Sequence, residues 1–143
     1  VCNCLLPTRN LDGFATPDPW APDKFAGFAD QIAAGAGTFV RLSLAFTTFE
    51  RAWSLRGMQN LLLDMMEAPS FVDELLDRIT EYNLALIAQA VQYPIDAVHF
   101  PDDWGDQRGV IMGPRLQGPM QPVETACTSA SRLPSLIASL IAS

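Results

Sequence analysis

A chain of 143 residues with 49% hydrophobic and 17% charged side chains carries enough apolar material for one domain with a core, and too much of it for a disordered segment. Its formal net charge of −7 argues against nucleic acid as a partner, because phosphates would be repelled. No apolar run reaches the roughly 20 residues that cross a bilayer, and VCNCLLPTRN lacks the basic start and apolar stretch of a signal peptide, so the expectation is a cytoplasmic protein with no membrane partner.

The three cysteines, Cys2, Cys4 and Cys127, are an odd set that fits reduced thiols. With one histidine in the chain, little is available to complete a tetrahedral metal site, and no metal is expected.

To about Trp20 the chain is irregular, since Pro7, Pro17, Pro19 and Pro22 forbid a regular helix. Phe25, Phe28, Ala29 and Ile32 then recur at helical spacing, with Asp23 placed to cap and Gly35 to stop the helix. TFVRLSLAF is β-branched and aromatic, and predicts a strand over residues 38–45.

Thr48 is placed to cap a short helix over residues 50–55, which Gly57 breaks before a second one striped by Leu61, Leu62, Met65 and Met66. Both methionines read as core. Pro69 should end that helix, and Ser70, with Asp73 three positions on, should start a long one through Tyr93. Its apolar positions Phe71, Leu75, Ile79, Leu86 and Ala90 share one side. IDAVHF, bounded by prolines, has the profile of a buried strand of a parallel sheet.

Strand, helix, strand is a βαβ unit, and such units build either an open doubly wound sheet or a (β/α)8 barrel. In both, ligands bind at the carboxyl ends of the strands. Residues 46–53 and 101–105 are therefore expected on one functional rim.

Within this pattern, FERAWSLRGM and F-x-D-D-W-G-x-Q-R-G-x-x-M-G-P together resemble the uroporphyrinogen decarboxylase superfamily, in particular its decarboxylase-like branch near the corrinoid methyltransferases. The similarity covers residues 43–116. It implies an α/β fold that is an incomplete (β/α)8 TIM barrel, with residues 1–116 a partial barrel domain and 117–143 an atypical tail.

The family's parent reaction is the cofactor-free decarboxylation of a tetrapyrrole in porphyrin biosynthesis, which implies no cofactor and a small carboxylate-bearing substrate. Its methyltransferase relatives, which use zinc and a corrinoid, are the alternative, and an inactive truncated fragment is a third reading. A homodimer is the expectation for the full-length parent. The family's arginine-rich loop and key aspartate would precede Val1, and Trp53 stands about where the true decarboxylases carry a substrate-contacting tyrosine. After Leu116 the resemblance stops and charge becomes sparse, which suggests a frame-shifted end; a genuine tail would place Leu133, Leu136, Ile137, Leu140 and Ile141 on one helical stripe.

The candidate catalytic residue is Asp102, a general acid if burial raised its pKa, with capping of a turn as the other reading. Phe46, Arg51, Trp53, Asp103, Trp104 and Arg108 are candidate substrate-binding residues. Trp104 either stacks on a flat ligand or plugs the barrel mouth. Arg108 and Arg51 either hold a carboxylate or pair with neighbouring acids. His99, in mid-strand, reads first as a packed core residue and second as catalytic.

Overall fold

The computed structural model describes residues 5–107 and 109–113. Arg108 and the tail from residue 117 on, including its apolar stripe, lie outside the described residues, as do the three cysteines. The elements run α1 (Phe28–Ala34), β1 (Arg41–Ser43), α2 (Phe49–Arg56), α3 (Met58–Glu67), α4 (Pro69–Ala90), β2 (Ala97–His99), β3 (Gly105–Asp106) and β4 (Gly109–Val110). The chain is a mixed helix and strand protein whose β1 and β2 pair in parallel, with Arg41, Leu42 and Ser43 opposite Ala97, Val98 and His99. That is the βαβ unit read from the sequence, with three helices in the crossover.

Both strands are shorter than expected. Backbone bonds from Asp96 N–H to Val40 O (2.8 Å) and from Leu44 N–H to His99 O (3.0 Å) carry the pairing one residue past each end. Beyond Leu44 it stops because Phe46 turns into the left-handed region at φ 54.

The helices begin differently from the sequence reading. Residues 22–27 form turns rather than a first helical turn, so Asp23 caps nothing and α1 starts after Gly27. Phe25 and Phe28 instead pack on Tyr93, with ring centroids 5.8 and 5.0 Å away. Pro69 does not merely end α3; it is the first residue of α4, where a missing N–H costs nothing and φ is already helical. Ser70 is therefore inside the helix, and no side chain caps it.

Gly57 links α2 to α3 at φ 87, a conformation that only glycine adopts without strain. It is buried, and its N–H closes α2 on Trp53 O (2.7 Å).

Two clusters form the core. In the larger one, Phe49, Ala52, Leu61, Met65, Leu75 and Ile79 bring α2, α3 and α4 together, joined by Leu6 and Leu11 of the irregular segment and by Met112. In the smaller, Leu44 and Ile87 gather Leu42, Val98 and Phe100 of the strand pair against α4. The stripe of α4 thus runs through Asn83 and Ile87 rather than Leu86, which is half-buried. Met66 is corrected as well. It is 77% exposed, off the buried face of α3 that carries Leu61 and Met65.

The irregular N-terminal segment is a strap. Leu6 N–H bonds Leu55 O (3.0 Å), and Arg78 of α4 donates to Leu11 O (3.0 Å) and Phe14 O (3.1 Å). Beneath it Asp64, 1% exposed, accepts from Arg56 Nε (2.6 Å) and from Arg9 Nε (2.7 Å). Burial alone would push the Asp64 carboxyl up, but hydrogen bonds and charge from Arg56 and Arg9 outweigh it and hold the group below the usual carboxylate range.

Candidate functional site

The carboxyl ends of β1 and β2 lead into residues 44–48 and 100–104, and the two loops are tied to each other. Asp102 is the knot. Its Oδ2 accepts from Thr48 N–H (3.1 Å), Phe49 N–H (2.8 Å), the Thr48 hydroxyl and Trp104 Nε1 (2.7 Å), while Oδ1 accepts from Glu50 N–H (2.8 Å). Three of these donors are the otherwise orphaned N–H groups at the start of α2. Thr48, expected to cap that helix, makes no side-chain cap of its own, and a carboxylate 54 residues away does so in its place. A negative group there also complements the helix dipole.

The surroundings lock this joint. Thr47 and Thr48 are buried, Thr47 Oγ1 donates to Pro101 O (3.2 Å), and buried Asn83 of α4 donates to Thr47 O (2.8 Å). Asp102 thus occupies both carboxylate oxygens with donors from inside the protein. The alternative in the sequence reading is an Asp capping the turn that follows it; Asp102 instead caps the start of α2, distant in sequence.

The other candidates separate by position. Trp53 and Trp104 are half-buried against the larger core cluster, and the Trp104 indole spends its N–H on Asp102. Asp103, next to Asp102, is exposed, and among the described residues it accepts one long bond, from Gly105 N–H (3.4 Å) in a turn. Phe46 is 44% exposed, with the Arg51 guanidinium 5.5 Å from its ring centre. Arg51 also reaches Ala45 O (3.4 Å). Phe46, Arg51 and Asp103 therefore line the open side of the rim, and Asp102 and Trp104 support it from behind.

His99 is exposed rather than packed in a core. It extends away from Val98 and Phe100, and its Nδ1 lies 3.2 Å from Ser43 Oγ. Thr47, Thr48, Asn83 and Ser43 were absent from the sequence-based set, and their roles come from long-range bonds that carry no local pattern.

A solvent-open cleft of about 400 Å³ lies elsewhere, between the strap and α4, lined by Phe14, Pro19, Arg78, Glu81 and Tyr82 among others. None of the described rim residues lines it. Among the described residues no group of three His, Cys, Asp or Glu side chains could hold a metal ion, and no helix is long and apolar enough to cross a membrane. The fold and site define a mixed α/β protein with a parallel strand pair and a polar junction at its carboxyl ends. No protein-family model, curated protein or solved structure matches the chain.

Proposed function

We propose that the chain is part of a uroporphyrinogen decarboxylase-like protein built on an incomplete (β/α)8 barrel, and that its rim contacts a carboxylate-bearing substrate of the tetrapyrrole class. The observation that carries this reading is the joint at Asp102. It joins the two segments on which the resemblance rests, FERAWSLRG and F-x-D-D-W-G, at the carboxyl ends of two parallel strands, where such folds bind ligands. Phe46 offers a flat apolar face and Arg51 a cation, the pair that a carboxylated macrocycle needs. The reaction is decarboxylation without a cofactor, in the cytoplasm, with the full-length parent a homodimer. Methyl transfer on the same scaffold is the competing chemistry.

A second reading has its own observation. Among the described residues the two-stranded parallel sheet has both edges and one face open, and Phe39 beside it is 73% exposed. On that reading the 143-residue chain binds without turning over, or self-associates. Incubation with uroporphyrinogen, followed by mass analysis of the products, separates the two. Stepwise loss of carboxylates supports decarboxylation, whereas binding with no loss supports the fragment reading. Absence of binding by a folded, monomeric chain would contradict both.

A further inference from the structure

Among the described residues the strand pair has one covered and one open face. Leu42, Leu44, Val98 and Phe100 alternate onto α4, so Arg41, Ser43 and His99 stand together on the other side, all exposed. The inner layers of a parallel barrel are ordinarily filled by Val, Ile and Leu, and the faces of parallel sheets are apolar. A cation, a hydroxyl and an imidazole on such a face break that rule, and local breaks of this kind mark sites.

We propose that Arg41, Ser43 and His99 form a binding site for a ligand carboxylate, as the floor beneath the rim. Among the described residues the Arg41 guanidinium has no hydrogen-bond or ion-pair partner. The acid nearest to it in the ladder, Asp96, turns its Oδ2 to Val40 N–H (2.7 Å). Among the described residues Arg41 is thus a cation without a counter-charge, in a chain of net charge −7. It lies two residues before Ser43 on one strand, about 7 Å along the same face.

The Ser43 hydroxyl, 3.2 Å from His99 Nδ1, fixes the ring and leaves Nε2 on its far side. With Ser43 donating to Nδ1 the neutral ring carries its proton on Nε2, and the imidazolium carries one there too. In that tautomer Nε2–H is a donor to an anion, and an anion beside Arg41 favours it. Arg41 supplies the charge and a bidentate fork, and His99 supplies a single directed bond.

This inference rests on the carboxyl ends of the strands being a ligand site, and its test is independent of the rim. His99 is the single histidine of the chain, so its ring ¹⁵N signals need no assignment. Titration with benzene-1,2,4,5-tetracarboxylate, a flat tetra-acid, should shift the Nε2 signal saturably below about 10 mM. Arg41→Gln should weaken that response at least about five-fold, and Arg41→Lys, which keeps the charge but loses the fork, should fall between it and wild type.

A silent His99 signal, or equal responses in wild type and Arg41→Gln, would overturn the proposal. An equal shift with sodium sulfate at matched ionic strength would reduce it to a general charge effect and overturn it too. If uroporphyrin binds in an Arg51-dependent way while His99 stays silent, this inference alone fails; if neither responds, the rim reading fails with it.

Discussion

Replacing Asp102 by alanine removes one acceptor from five donors at once. An ordinary side-chain cap satisfies one or two N–H groups and is worth about 0.5–2 kcal/mol. Here three backbone N–H groups lose their partner, and Thr48 and Phe49 are almost wholly buried, so water replaces the carboxylate poorly. The Thr48 hydroxyl and the Trp104 indole N–H can turn to find other acceptors, and the losses are not additive.

A cost of about 3–4 kcal/mol follows, set against a total stability of about 5–15 kcal/mol. For a domain of this size that lowers the melting temperature by about 10 °C. Asp102→Asn should cost less, because the amide can turn its carbonyl oxygen into the Oδ2 position, so that only Glu50 N–H faces a donor, beside the loss of the charge at the start of α2. Asp103→Ala, one position away on an exposed turn, should stay within about 0.5 kcal/mol of wild type. Urea unfolding followed by tryptophan fluorescence measures all three. A cost below about 1 kcal/mol for Asp102→Ala, or equal costs for the two alanine variants, would refute the capping account.

Asp64→Ala should destabilise by about 3–5 kcal/mol in the same urea assay, because it leaves the 6%-exposed Arg56 without its counter-charge. Asp64 has a folded-state pKa below its ordinary 3.8, so its contribution is complete above that value and declines as pH falls through the depressed one. Urea midpoints of wild type and Asp64→Asn should therefore differ at neutral pH and converge as pH falls below 3.8. Phe46→Gly should relieve left-handed strain of about 1 kcal/mol while removing the face under Arg51, so thermal stability holds or rises as porphyrin affinity falls. Met65→Ala should cost about 2–4 kcal/mol and Met66→Lys almost nothing, measured as melting temperatures.

The helices were legible because apolar spacing and breakers are local signals. Leu61, Met65, Leu75 and Ile79 were placed by period alone, and Gly57 and Pro69 by their backbone limits. Helix starts were not legible, since Pro69 as a first residue and Asp102 as a remote cap both override the Ser70 and Thr48 signals. The parallel pairing of TFVRLSLAF with IDAVHF followed from the strand, helix, strand order.

At the site, the rim position of residues 46–53 and 101–105 followed from the same order. The division of labour within it did not. Asp102 and Asp103 are indistinguishable in sequence, and only the position of the α2 N-terminus, a tertiary fact, gives one of them five donors. His99 and Ser43 were separable in principle, because strand alternation puts them opposite Leu42 and Val98, but the open face of the pair made them exposed rather than packed.

The most direct test of the central claim is titration of the folded chain with uroporphyrin, read by quenching of Trp53 and Trp104 in a Trp20→Phe background, since Trp20 is 56% exposed and would emit as well. The account predicts saturable quenching that Arg51→Ala weakens at least about five-fold, the loss of a charge-assisted contact, at unchanged melting temperature. Quenching that is absent, or that is the same in Arg51→Ala, would contradict it.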